Sequence, residues 1–115
     1  MMIGIDLIEI KRIENFINKF GEKALKKFMS EEEIKIFTKI ESIAGIWAAK
    51  EAFSKAIGTG IGENCSFLDI QIKKNNKNKP FFSAFTLKKF NLENADLSIT
   101  HDGGFAIAAV IVIKK

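Results

Sequence analysis

Residues Phe105 to Ile113 read FAIAAVIVI, a run without one polar side chain. Alternation places Phe105, Ile107, Ala109, Ile111 and Ile113 on one face of a strand and Ala106, Ala108, Val110 and Val112 on the other. A strand apolar on both faces predicts cover on both. Asp102-Gly103-Gly104 turns the chain into this strand. Before the turn, Leu97, Ile99 and His101 alternate with Ser98 and Thr100, so the end of the chain reads as an antiparallel hairpin. Helices of a 115-residue chain cover one face. The second is left for another copy in a symmetric oligomer, or is sandwiched within the monomer.

Working back from the hairpin, a small helix is expected around Thr86 to Phe90 and strands over Phe67 to Lys73 and Phe81 to Ser83. The polar turn Lys73-Lys74-Asn75-Asn76-Lys77-Asn78-Lys79 joins those two strands. The segment from Ser42 to Ile57 is the strongest helix, with Ile43, Ile46, Trp47, Phe53 and Ile57 on one face and alanines filling the rest. It stops at Gly58-Thr59-Gly60-Ile61-Gly62. Ser30 and Glu33 have the spacing of a capping box for a helix carrying Ile34, Phe37 and Ile40. Ala24 to Met29 is a short helical piece. Ile10, Ile13, Ile17 and Phe20 recur at helical spacing and end at Gly21. The chain starts as a strand, with Ile3, Ile5 and Leu7 on one side and Gly4 and Asp6 on the other. Early helices and late antiparallel strands define an α+β fold, one domain over residues 1–115.

Composition narrows the function. The chain carries 18 Lys+Arg against 14 Asp+Glu. All of the excess lies in residues 11–29, where Lys11, Arg12, Lys19, Lys23, Lys26 and Lys27 face only Glu14 and Glu22. That segment reads either as a docking face for an acidic partner or as a solvated lysine-rich surface. A single Arg weakens a nucleic-acid reading that depends on bidentate guanidinium contacts. One Cys excludes an internal disulfide, and one Cys with one His cannot build a protein-only structural zinc site. No apolar run approaches a membrane span, and Asp6, Glu9 and Glu14 interrupt any signal-like stretch. A soluble cytoplasmic protein is expected.

Several polar residues stand in unexpected places. Lys50 falls in the middle of the apolar helical stripe, where a lysine either snorkels to the edge or meets a specific anion. Glu51 and Lys55 flank that stripe one turn apart, as a surface ion pair or as part of a site. Asp6 lies inside a strand, against propensity, and either caps the first helix or binds a ligand that Gly4 lets approach. One strand carboxylate, one helix carboxylate and nearby lysines suit Mg²⁺ shared with substrate phosphates. The glycines at 58–62 follow a helix and so form neither a Walker A loop nor a dinucleotide fingerprint. Their backbone either faces a phosphate or simply stops the helix. His101 is expected half-buried, and Cys65 with His101 makes no convincing nucleophile–base pair.

Together these segments resemble one family. WAAKEAFSKAIGTGIG (Trp47–Gly62), MIGIDLIEIKRIE (Met2–Glu14) and LSITHD (Leu97–Asp102) resemble the holo-acyl-carrier-protein synthases, the short class of the 4′-phosphopantetheinyl transferases. SEEEI at Ser30–Ile34, SFLDIQI at Ser66–Ile72 and Lys79-Pro80 extend the resemblance along the whole chain. It implies transfer of phosphopantetheine from coenzyme A to a serine of apo acyl carrier protein, releasing adenosine 3′,5′-bisphosphate. Asp6 and Glu51 match the family's Mg²⁺ ligands. Lys55 matches a lysine beside the leaving phosphate, making Asp6, Glu51 and Lys55 the implied catalytic set. The proton acceptor stays open between Glu51 and a metal-bound water. Lys50, Ser54, Gly58, Thr59, Gly60 and Ile61 match coenzyme-binding positions, and Lys79, Pro80, Thr100 and His101 match positions lining the coenzyme cleft. Arg12 matches a carrier-protein contact, with Lys19 and Lys23 beside it, and the short class resembles homotrimers with sites between subunits. The chain departs from the family at Ile46, often Arg, at Asn78, usually Gly, and at Asp102, commonly Thr or Ser. A different reading is a non-catalytic basic module for RNA or an acidic protein, in which both carboxylates are dispensable.

Overall fold

The computed structural model describes residues 1–115. Strand β1 (Met2–Glu9) leads into α1 (Ile10–Phe20), α2 (Glu22–Phe28), α3 (Glu31–Ile36) and the long α4 (Ile40–Ile57). After a loop come a single 3-10 turn (Phe67–Asp69), β2 (Ile72–Lys74), β3 (Pro80–Phe82), α5 (Ala84–Lys89), β4 (Leu92–Asp102) and β5 (Phe105–Lys114). The apolar last strand occupies the middle of an antiparallel sheet in the order β1-β5-β4, while β2 and β3 form a separate hairpin. Gly103 and Gly104 both have positive φ, 57° and 86°. Such a two-residue turn matches the twist of the strands it joins, which is why two glycines stand there.

One face of the sheet is closed by α4. Ala106, Ala108, Val110 and Val112 are all buried beneath it. The expectation of a single apolar stripe on α4 understates its burial. Ala44, Gly45, Ala48, Ala49, Ala52 and Ala56 are buried together with Ile43, Ile46 and Phe53, so the helix is enclosed on most sides. Small side chains let it lie close to the sheet. Gly4 makes the closest approach: a Cβ there would run into Ala52 O and stand 2.7 Å from Ala56 N. Gly4 therefore admits a helix, not a ligand. On the far side of α4, Trp47 stacks among Phe16, Phe28 and Phe67, and Phe53 packs on Phe82 and Phe90.

The second face of the sheet stays bare. Ile3, Ile5 and Leu7 are 70%, 62% and 56% exposed, and Phe105, Ile111 and Ile113 are exposed beside them. The register pairs Ile3 with Ile111 and Leu7 with Ile107, so these side chains form one apolar surface. No other element of the chain covers it.

Local signals behave as their chemistry dictates. Ser30 Oγ accepts from Glu33 N and Glu33 Oε1 accepts from Ser30 N, completing the capping box of α3. The strand expected over Phe67 to Lys73 is a correction: Phe67–Asp69 is a 3-10 turn and pairing begins at Ile72. Asp69 Oδ2 accepts from Ser66 N at 3.0 Å while Asp69 N donates to Ser66 O, and that local solution replaces sheet pairing. Asn78 has φ of 63°, a left-handed conformation that Asn tolerates better than most other non-glycine residues.

Candidate active site

The close seat of α4 on β1 brings Asp6, Glu51 and Lys55 together. Asp6 leaves β1 on the α4 side, as Gly4 does, while Ile3, Ile5 and Leu7 point away. It does not cap α1: Glu9 holds the N-cap position without any side-chain bond. Lys55 Nζ donates to Asp6 Oδ1 at 3.0 Å and to Ile5 O at 3.2 Å. Lys55 is thus tied to the strand, and the expected helix-surface pair with Glu51 does not form. Glu51 carries no ion pair. Burial pushes its carboxyl above the usual carboxylate range, and the charge of Asp6 pushes the same way. Lys55 and Arg12 pull it back by less. Two carboxylates that repel each other, with a lysine already on one of them, form a cluster of concentrated charge.

Two residues expected at the coenzyme are buried and hydrogen-bonded inside the fold. Lys50 is fully buried, and its ammonium donates to Glu33 Oε1 at 2.7 Å, Phe28 O at 2.6 Å and Phe67 O at 3.0 Å. All three protons are used, and none is left for a phosphate. The anionic-partner alternative for Lys50 holds, and the partner is Glu33. Glu33 Oε2 also accepts from Ile72 N, so one buried ion pair ties α3, α4 and β2 together. Burial lowers the pKa of Lys50, with Glu33 opposing the shift. Ser54 is buried too, and its hydroxyl donates to Glu51 O inside the helix. Ile46 is fully buried as well and belongs to the core.

The glycine loop begins as a helix stop. Gly58, Thr59 and Gly60 all donate their backbone N–H to Ser54 O, at 3.0, 3.2 and 3.2 Å. Those three N–H groups are satisfied, and Ile61 packs partly against the core. Cys65 is buried, and burial pushes its thiol up to about 11, which removes it as a nucleophile.

The other expected cleft residues lie elsewhere in the protomer. Asp6 pairs with Ala108 of β5, and Ala108 pairs with Ile99 of β4. One whole strand therefore separates Asp6 from the strand that carries Thr100 and His101. Both are exposed, and for His101 this corrects the half-buried expectation. Lys79 reaches toward Asp96 and Leu97 O on the outer edge of β4, both at 3.4 Å, with Pro80 opening β3 beside it. One chain thus holds the acidic cluster apart from Lys79 and from the strand that carries Thr100 and His101.

Arg12 and Lys19 flank a groove of about 340 Å³ on α1 floored by Ile13, Phe16, Phe20 and Trp47. Lys23 is exposed on α2, outside this groove. Periodicity alone did not reveal the groove, because it needs Trp47 of α4 beside two aromatics of α1.

A strand carboxylate, a helix carboxylate and a lysine thus meet on a small α+β scaffold. A family profile described as the 4′-phosphopantetheinyl transferase superfamily matches residues 2–110. The holo-[acyl-carrier-protein] synthase of Nautilia profundicola is 66% identical over 113 residues, covering 98% of this chain and 100% of that protein. The Helicobacter pylori enzyme of the same name, solved in complex with coenzyme A, superposes with a TM-score of 0.90 at 47% identity. That match covers 96% of this chain and 99% of the other. The Bacillus anthracis enzyme, in complex with CoA (3′,5′-ADP), gives 0.84 at 38% identity over 99% of this chain and 96% of the other. The chain belongs to the 4′-phosphopantetheinyl transferase superfamily. Within it, the chain is a transferase of the holo-[acyl-carrier-protein] synthase type.

Proposed function

We propose that this chain transfers 4′-phosphopantetheine from coenzyme A to a serine hydroxyl of apo acyl carrier protein, with Mg²⁺, in the cytoplasm and in the service of fatty acid biosynthesis. The carrying observation is the juxtaposition of Asp6, Glu51 and Lys55. The site offers two carboxylates, Asp6 on the strand and Glu51 on the helix. That suits Mg²⁺, which often takes one or two protein carboxylates and completes its shell with water and phosphate oxygens. The mutual repulsion of the pair favours a cation beside both carboxylates. Asp6 and Glu51 would hold it. When bound, it supplies charge neutralisation on the pyrophosphate and orients the phosphorus.

The serine oxygen attacks the β-phosphorus, the bond to the bridging oxygen breaks, and adenosine 3′,5′-bisphosphate leaves. Lys55, half exposed and one turn beyond Glu51, is placed to meet charge on the leaving phosphate. Glu51, the carboxylate of the pair that holds no lysine, is one candidate acceptor of the serine proton, and solvent at the site is the other. The α1 groove, apolar within and cationic at its rim, suits an acidic carrier protein with apolar contacts of its own.

The bare apolar face of the sheet supports a homotrimer. A neighbouring copy would cover Ile3, Ile5 and Leu7, and would bring its own Thr100, His101, Lys79 and Pro80 toward the acidic cluster. The shared site accounts for why one chain holds these groups apart. The test mixes the protein, coenzyme A, Mg²⁺ and apo carrier protein and follows the acceptor by mass spectrometry. The expected result is a gain of one phosphopantetheine that needs the metal. A folded protein that gives no gain sinks the reading.

A further inference from the structure

Lys55 does more here than wait for a phosphate. It is the only cation paired with Asp6, whose side chain is 15% exposed. Its own side chain is 52% exposed and makes only the Asp6 and Ile5 O contacts. A flexible four-carbon stem half in solvent swings away at small cost, because exposed ion pairs are weak. The buried side of the pair is different: Asp6 has this one cation and a carboxylate neighbour that repels it.

We propose that Lys55 is a displaceable counter-ion that occupies Asp6 in the ligand-free protein, competes with the divalent cation there, and is drawn off by the coenzyme's pyrophosphate. This rests on the reading of Asp6 and Glu51 as the metal seat. Two cations on one carboxylate repel each other, so metal alone must displace Lys55 into water. With coenzyme present, the same ammonium moves to a phosphate and remains paired. Metal and coenzyme therefore bind cooperatively. By linkage, each strengthens the other by the same factor. The device keeps Asp6 paired between turnovers and favours metal loading together with substrate.

The test measures Mn²⁺ affinity by electron paramagnetic resonance of the free ion, with and without coenzyme A. Lys55→Met removes the charge at a half-exposed position and keeps the stem. It is expected to bind Mn²⁺ alone about tenfold tighter than the wild type, the size of a typical coupling between sites. Coenzyme A then improves Mn²⁺ binding by a smaller factor in the variant than in the wild type. Lys55→Arg keeps a cation and is expected to bind Mn²⁺ as weakly as the wild type. Equal or weaker Mn²⁺ binding by Lys55→Met overturns the counter-ion role, and so does Lys55→Arg behaving like Lys55→Met. If Asp6→Asn still abolishes binding in that case, the metal seat itself stands. A wild-type complex with coenzyme A that takes up no Mn²⁺ overturns the seat and the counter-ion together.

Discussion

The Lys50 ammonium stands 2.7 Å from Glu33 Oε1, and neither side chain is more than 1% exposed. Its other two protons go to carbonyls of α2 and the 3-10 turn, so four segments meet at one charge. Removing one partner leaves the other charged in a dry core. Lys50→Met is expected to cost about 3–5 kcal/mol in urea denaturation. The Glu33→Gln/Lys50→Met double variant should lose less than the two singles added, with a coupling of about 1–3 kcal/mol. Additive losses would show that the pair does not act as a unit.

Glu51 gives a stability test with a definite sign. Its carboxyl is raised by burial first and by Asp6 second, so the native state favours the protonated form. The stability this contributes is present below the ordinary carboxylate range and is lost as pH rises through the raised value. Glu51→Gln mimics the protonated form. It should raise Tm at neutral pH, with the gain closing as the solution is acidified, while transfer falls by about 10²–10⁴-fold. A Tm lowered at neutral pH contradicts the repulsive pair.

Gly4 links packing to chemistry. A methyl group there meets the α4 backbone at Ala52 and Ala56, and backbone cannot rotate away. Gly4→Ala should cost about 1–3 kcal/mol by overpacking. It should also lower transfer more than its stability loss explains, because α4 carries Glu51 and Lys55 past Asp6. Gly62→Ala, with open space around it and no positive φ, is the stability control and should leave Tm nearly unchanged. Equal effects at both positions would refute the close seat of α4.

The α1 groove predicts a split between two substrates. Charge reversal at Arg12 and Lys19 should raise KM for the carrier protein roughly tenfold, and more steeply at low salt. Lys19→Glu alone isolates docking, since Arg12 also acts on Glu51. A matching rise in KM for coenzyme A would remove the docking role.

The bare sheet face predicts assembly. Ile5 is largely exposed in the single chain, so Ile5→Glu costs the isolated fold little. It should lower the mass measured by light scattering from that of an oligomer to that of a monomer, and transfer should fall with it. A wild-type protein already monomeric at working concentration excludes the shared site.

Periodicity is a property of neighbours along the chain, and wherever it governed, the residues could be read directly. The β1-to-α1 change at Ile10, the capping box at Ser30 and Glu33, and the Gly103-Gly104 hairpin all follow from local spacing. So does the placement of Asp6 on the side of β1 opposite Ile3, Ile5 and Leu7. The 3-10 turn at Phe67–Asp69 was hidden, because its apolar residues alternate like a strand while a side-chain cap decides the backbone. Lys50 and Ser54 show the same boundary at the site. Their positions within the KEAFSKA run implied coenzyme contacts, yet both are buried and the Lys50 ammonium already meets three oxygens of its own chain. By itself the sequence determined the order of elements, the both-sided apolar last strand, the basic segment and the family. Only the tertiary structure decided which anion Lys50 meets, that Lys55 pairs with Asp6 across 49 residues of chain, and that Thr100 and His101 lie a strand away from Asp6. The reason is physical: local spacing sets which way a side chain points. Only the packing of α4 onto β1, as close as Gly4 allows, sets what it meets.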